Sequence, residues 1–280
     1  MERSIVLTPL IPAAETDIEW FERGVKAFAE AGTTVVEYYT DESLIPAYQK
    51  ILEKYGQKGI YLHAVRQKRQ GINLSAIDQP TRRSAVDIAA STAKICAQAG
   101  VTSMLITSGA RPEDPENLSD AMGSLKTSLR ELLDAVNLPL VLEPGDTEIH
   151  MCQTIGSTPE VIHLMQDLHH PGLMLTMDSS HIAQLGEDVR SALRQTATWC
   201  RHVHLANCVL KPGHPLYGDR HPFFVQEGSV FTSEALHEIM THVPEDLGTE
   251  DFILSVEVIS SLPGDESISR MMKEASWFFS

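Results

Sequence analysis

Residues 172–206 read GLMLTMDSSHIAQLGEDVRSALRQTATWCRHVHLA. The stretch opens on a short apolar run, 172–178, that ends in Asp178. It continues through a helix-like segment at 187–198 and closes on a second apolar run, 201–206, that carries His202 and His204. Neither run alternates as a half-exposed strand does, so both read as strands buried on two faces, the habit of parallel sheets. Two parallel neighbours need a crossover of helix length between them, and 187–198 supplies it. The stretch is one strand–helix–strand unit with polar residues at the strand ends.

The same unit repeats in both directions. Further apolar runs lie at 4–8, 34–39, 59–65, 101–107, 139–143 and 252–259, and amphipathic segments at 17–31, 44–55, 79–99, 117–136, 158–167, 232–241 and 267–279. In 79–99 the apolar stripe is Val86, Ala89, Ala90, Ala93, Ile95 and Ala97, with Arg82, Arg83, Asp87 and Lys94 off it. Thr158-Pro159 reads as a helix start, and Gly32 and Gly100 read as helix ends just before strands. Eight strands alternating with eight helices is the count of a (β/α)8 TIM barrel; a doubly wound open sheet shares the local pattern. With no linker, low-complexity tract or charge block, residues 1–280 read as one barrel domain. The longest irregular segment, 207–229, follows the seventh strand, and Tyr217, Phe223 and Phe224 make it an ordered loop rather than a tether.

Composition narrows the function classes. The chain of 280 residues carries 22 Lys+Arg against 38 Asp+Glu, a net charge of −16, with 42% hydrophobic and 21% charged residues. That charge disfavours non-specific nucleic-acid binding, which depends on cations against phosphates, and docking on anionic membranes. The apolar runs are far shorter than the ~20 residues of a spanning helix, and the first residues show no apolar signal core. Cys96, Cys152, Cys200 and Cys208 form no CxxC pair, which fits a reduced, cytoplasmic setting. The expected partner is a small carbohydrate or sugar acid, with no nucleic acid and no membrane; a homo-oligomer is compatible with the sequence.

In a barrel the active site gathers at the strand C-termini and the loops after them. The polar residues there are Glu37, His63, Glu143, Asp178, His181, His204 and Glu257. Several interrupt apolar runs: Leu140-Val-Leu-Glu143, Leu175-Thr-Met-Asp178, Arg201-His-Val-His204 and Ser255-Val-Glu257. A carboxylate in such a place must be paired, protonated or bound to a metal. Glu143, Asp178, His204 and Glu257, on four successive strands, form a mostly oxygen ligand set suited to one divalent ion: Mn²⁺ first, with Mg²⁺, Co²⁺ or Zn²⁺ as alternatives. The competing reading satisfies each residue separately with backbone amides or an arginine.

These motifs resemble the xylose-isomerase-like TIM barrels, which include sugar isomerases and epimerases, hydroxypyruvate isomerase, inosose dehydratase and endonuclease IV. The resemblance runs through Leu142-Glu143-Pro144, Asp178-Ser-Ser-His181, His202-Val-His204, Tyr217-Gly-Asp219-Arg-His221-Pro with Gln226-Glu227-Gly228, and Ser255-Val-Glu257. It implies that Glu143, Asp178, His204 and Glu257 hold one divalent cation. It further implies that Glu143 and Glu257 double as the acid and base of a proton transfer through a metal-stabilised enediolate, and that His181 holds a substrate oxygen. His63, His181, Asp219 and His221 match further ligands of endonuclease IV. The chain departs from that enzyme at Thr107-Ser-Gly-Ala-Arg111, which lacks its histidine, and from the ketose 3-epimerases at Leu210, where they carry an arginine.

The implied activity is a metal-dependent isomerase or epimerase of a small polyhydroxy ketone, sugar acid or sugar phosphate. A lyase, decarboxylase or dehydratase, built on the same site stays open, as does a non-catalytic sugar-binding barrel. Arg66, Lys68 and Arg69 after the third strand, Arg111 after the fourth, and Lys211 and Arg220 after the seventh suggest a basic rim that attracts an anionic substrate. The candidate substrate contacts are therefore His63, Arg66, Arg111, His181, Lys211, Asp219 and His221. His202 reads as barrel interior rather than ligand, and Met104, Met151, Met165, Met174 and Met177 as core filler. Dinucleotide, P-loop and serine-hydrolase motifs are absent.

Overall fold

The structure, a computed structural model, describes residues 1–279; Ser280 lies outside them. Eight parallel strands close into a barrel in sequence order: β1 (Glu2–Val6), β2 (Val35–Tyr38), β3 (Lys58–Leu62), β4 (Ser103–Ile106), β5 (Leu140–Leu142), β6 (Leu173–Asp178), β7 (Cys200–Leu205) and β8 (Ile253–Val256). β8 pairs with β1 through Ser255 opposite Ser4, which completes the ring. The open-sheet alternative is thereby excluded.

Side chains alternate along each strand between the barrel interior and the helix layer. Ile5, Val36, Tyr61, Met104 and Leu140 belong to the large core shared with the surrounding helices. Val6, Val35, Ile60, Leu62 and Leu105 form a separate, smaller apolar cluster. Buried alongside these are Ser4, Glu37, Thr176, His202 and Ser255. Glu37 on β2 bonds to His202 on β7 and Ser255 on β8, strands that are not its neighbours, and only the barrel lumen allows such contacts. The lumen is therefore part apolar and part polar.

Several element ends differ from the sequence reading. The third apolar run continues beyond β3 as a helix, His63–Gln70, closed by Gly71 in the left-handed conformation. Apolar character does not reveal where a strand bends into a helix, so Arg66, Lys68 and Arg69 sit on a helix rather than in a loop. Ser157, not Thr158, caps the Thr158–Leu168 helix, in a reciprocal capping box with Glu160. Helix Ser233–Leu247 runs past the expected end at 241 and through Pro244, and the last helix is Gly264–Glu274. Loop 207–229 holds no regular element beyond isolated bridges from Val209 to Tyr217 and Ser229.

Candidate metal centre and active site

Asp178 ends β6 and caps the short helix Ser179–Gln184. Its Oδ1 accepts from the backbone N–H of Ser180 at 2.6 Å and of His181 at 3.1 Å, and from Ser180 Oγ at 2.5 Å. The cap occupies one oxygen and leaves Oδ2, buried and without a hydrogen bond, facing His204 Nδ1 at 3.8 Å. Glu143 and Glu257 each lie one residue past their strand. Glu143 Oε1 comes within 3.1 Å and Glu257 Oε2 within 2.8 Å of the same His204 nitrogen. Glu143 Oε1, Asp178 Oδ2 and His204 Nδ1 are all buried and have no hydrogen-bond partner.

Three orphaned ligand atoms converging on one point fit a cation, because buried polar groups are otherwise paired. One ligand atom from each of Glu143, Asp178, His204 and Glu257 lies within 4.8 Å of the other three. The electrostatics point the same way. Burial works against charge on His204, yet Glu37 and Glu257 pull its pKa well above the usual histidine range. Burial likewise works against a charged Glu257, but His221 and His204 hold its pKa below the carboxylate range. The pocket favours positive charge among its carboxylates. The side chains of Asp178 and His204 are 0% and 1% exposed, whereas Glu143 and Glu257 keep 10% and 15%, an edge turned to the open space.

That space is a cavity of about 290 Å³ above the polar part of the lumen. Glu143, His181, His204, Asp219, His221 and Glu257 line it, and Leu62, Leu105, Val65, Met151 and Ile259 form an apolar wall. His221 adopts φ 36°, a left-handed conformation that a non-glycine residue keeps only when its surroundings hold it. Here Asp219 Oδ1 lies 2.7 Å from Nε2, Ser180 Oγ lies 3.0 Å from the same atom, and Glu257 Oε1 lies 3.3 Å from Nδ1. These carboxylates raise the His221 pKa well above its usual range against the effect of burial. The His181 and His221 rings lie 5.4 Å apart, centre to centre.

The sequence profile of the xylose isomerase-like TIM barrels matches residues 13–276. The chain belongs to that family. No curated protein matches the sequence. Among solved structures, D-psicose 3-epimerase with D-tagatose from Clostridium cellulolyticum H10 superposes with a TM-score of 0.65 at 14% identity, covering 99% of this chain and 96% of that one. L-ribulose 3-epimerase gives 0.69 at 18%, covering 99% and 86%, and 3-keto-D-glucoside 4-epimerase from E. coli gives 0.69 at 13%, covering 99% of each. At such identities these likenesses establish the fold.

The expected substrate contacts divide. His181, Asp219 and His221 line the cavity, and Lys68 and Arg69 reach its edge. His63, Arg66, Arg111 and Lys211 do not line it. His63 is fully buried with both ring nitrogens unpartnered, and burial lowers its pKa to about 3. Arg66 turns to Glu42 and Thr92, Arg111 donates to the carbonyl of Thr154 at 3.3 Å, and Lys211 is exposed. Lys68 pairs with Asp219 at 3.0 Å and Arg69 with Glu15, through two bonds of 2.5 and 2.8 Å. Three of the six rim cations, Arg66, Lys68 and Arg69, are thus paired with acids of this same chain.

Two features escaped the sequence. Met151, read as core filler, stands at the cavity wall. Asp146 gathers the backbone N–H groups of Glu148, Ile149, His150 and Met151 at 3.2, 2.5, 2.8 and 2.6 Å and curls the loop after β5 over the site. Glu37, visible as a carboxylate inside the apolar run 34–39, lies fully buried beneath the centre and contacts both His202 and His204 at 3.0 Å. The available signal was the spacing of two between the histidines, which puts them on one face. Their carboxylate partner came from a strand too distant in sequence to be inferred.

Proposed function

We propose that the protein is a divalent-metal-dependent epimerase or isomerase of a small polyhydroxy ketone, moving a proton at the carbon next to a carbonyl. The convergence of orphaned ligand atoms from Glu143, Asp178 and His204, with Glu257 completing the set, carries this reading. The three solved relatives described above are sugar epimerases by name, which supports it. Those four residues would hold the ion, with Mn²⁺ the first choice for an oxygen-rich set carrying one imidazole. A bound divalent ion supplies Lewis acidity that makes the neighbouring C–H more acidic.

The remaining chemistry belongs to the chain. Asp178 and His204, wholly buried, anchor. Glu143 and Glu257, less deeply buried and lining the cavity, take a proton from one face of the carbon and return one to the other. His181, held at the first turn of the helix capped by Asp178, donates to a substrate oxygen and stabilises the charge that develops there. Leu62, Leu105 and Ile259 keep water from the reacting carbon. Lys68 and Arg69, the two cationic side chains lining the cavity, already pair with Asp219 and Glu15, which supports a neutral ketose over a sugar acid as the substrate.

The test is to incubate Mn²⁺-loaded protein with a panel of ketoses and keto sugar acids in deuterated water. Deuterium entering beside the carbonyl, with appearance of the epimer or isomer, is expected. Release of CO₂ or water would favour the lyase. Ligand binding without exchange would mean a sugar-binding barrel, and full turnover in excess chelator would overturn the metal assignment.

A further inference from the structure

The layer beneath the metal centre is a closed hydrogen-bond network with a single carboxylate at its middle. Glu37 is fully buried and both its oxygens are engaged. Oε1 accepts from Ser4 Oγ at 2.9 Å and from Ser255 Oγ, and lies 3.0 Å from His202 Nε2. Oε2 lies 3.0 Å from His204 Nε2. His202 is itself fixed at both nitrogens, Nε2 lying also 2.9 Å from Ser255 Oγ and Nδ1 3.2 Å from Thr176 Oγ1. Five strands, β1, β2, β6, β7 and β8, thus contribute to the support of one carboxylate. Glu37, His202 and His204 could in principle hold an ion of their own. However, neither oxygen of Glu37 and neither nitrogen of His202 is orphaned, in contrast to the layer above. This layer is a support, complete without an ion.

We propose that Glu37 is a positioning residue for the metal centre: by accepting the Nε2–H of His204 it fixes that ring's tautomer and orientation, so that the Nδ1 lone pair faces the cation. Its negative charge also raises the basicity of the ligating nitrogen. His202 and the two serines act one step further out, holding Glu37 in the rotamer that reaches His204. This inference rests on the reading that Glu143, Asp178, His204 and Glu257 bind a divalent ion, and it adds a fifth residue from β2 that touches neither ion nor substrate.

The experiment is titration of Mn²⁺ into metal-free wild-type protein, Glu37→Gln, His204→Ala and the double variant, with stoichiometry and affinity as readouts. Wild type is expected to bind one ion, and Glu37→Gln to bind one ion about 10- to 100-fold more weakly, the usual scale for such an outer carboxylate. In the His204→Ala background, Glu37→Gln should produce no further loss, since its effect passes through that ring. A nitrogen-15 spectrum of Zn²⁺-loaded protein should show His204 protonated at Nε2 in wild type and a mixture in Glu37→Gln. If Glu37→Gln fails to fold, Ser255→Ala replaces it, with a smaller loss and the same non-additivity. Unchanged affinity in Glu37→Gln or a full additional loss in the double variant would each overturn the proposal. Wild type that binds no ion would instead overturn the reading on which it rests.

Discussion

The two sides of the barrel lumen solve opposite problems with the same strand geometry. On the side of β6, β7 and β8 the inward positions toward the strand ends are polar, Thr176 and Asp178, His202 and His204, Ser255 followed by Glu257, while Ile253 at the start of β8 packs on the apolar cluster. On β3 and β4 the inward cluster is Ile60, Leu62 and Leu105. Histidine shows the contrast most sharply. His202, in the polar part, has both nitrogens within hydrogen-bonding distance of a partner, and burial there is offset by Glu37, Ser255 and Thr176. His63, at the end of β3, is equally buried and has no hydrogen-bond partner at either nitrogen. One side spends its inward positions on arranging charge, and the other on excluding water from the space where that charge acts. The proposed proton transfer would need both: fixed dipoles aimed at developing charge, and a wall that keeps solvent away from it.

The largest effect that tests this division is removal of an anchor. Asp178→Asn or His204→Ala should abolish tight Mn²⁺ binding and lower kcat/KM about 10³-fold or more, the scale of losing several kcal/mol of charge stabilisation. Chelation should reproduce the loss in wild type, and added Mn²⁺ should reverse it. Ile60→Ala, on the other side, should do the converse: about 2–5 kcal/mol less stability in denaturant unfolding, with one ion still bound. A variant of either kind that moved both quantities equally would erase the distinction between the two sides.

Within the polar side, His181→Ala separates the proton machinery from the ion. It should cut kcat/KM by about 10²-fold while metal content stays near that of wild type, because His181 lies on the helix beyond Asp178. The competing arrangement makes His181, Asp219 and His221 a second ion site; the structure brings ligand atoms of His181 and His221 within 4.8 Å of each other and of Asp178. Under it, His181→Ala and Asp219→Asn would each lose one of two ions. Metal counting on both variants decides between them.

The strand count, the closed barrel and the convergence of Glu143, Asp178, His204 and Glu257 were legible because each rests on a local pattern: an apolar run, a helix-length gap and a polar residue at the run's end. What stayed hidden depended on contacts across the barrel. Glu37 was visible as a buried carboxylate, but its partners lie 165 and 167 residues away on β7, and no spacing rule reaches that far. Arg66 looked like a rim cation because its run appeared to end in a loop. The helix that forms instead directs it to Glu42 and Thr92. Met151 looked like filler because nothing local shows that Asp146 folds its own loop back over the cavity.

His63 allows the apolar side to be tested by pH. Burial, with a smaller contribution from nearby Arg66, lowers its pKa to about 3, against 6.5 for the free side chain. The unfolded chain therefore takes up a proton near pH 6.5 that the folded chain refuses until near 3. His63 thus favours the folded state fully only above 6.5, and its contribution declines as pH falls, by at most about 1.4 kcal/mol per pH unit. His63→Leu should remove that part of the acid slope between pH 6 and 4 while leaving metal binding unchanged. Parallel stability curves for the two proteins would show that His63 is protonated or solvated in the fold after all.

The smallest effects are expected where the two sides meet. Lys68 stands on the helix after β3, at the edge of the cavity, and reaches across to Asp219 in the loop after β7. Its side chain is 49% exposed, so the pair contributes at most about 1 kcal/mol. Lys68→Ala should change KM by about fivefold or less, and kcat hardly at all, since the contact serves ground state and transition state alike. Arg66→Ala, Arg111→Ala and Lys211→Ala, all outside the cavity, should leave KM within about twofold of wild type. An anionic substrate would break this ordering. Its carboxylate or phosphate would compete with Asp219 for the Lys68 ammonium, and Lys68→Ala would then raise KM for the acid far more than for the neutral ketose. Measuring both substrates on the Lys68 and Arg66 variants distinguishes a rim that closes the cavity with its own ion pairs from one that opens them to take up an anion.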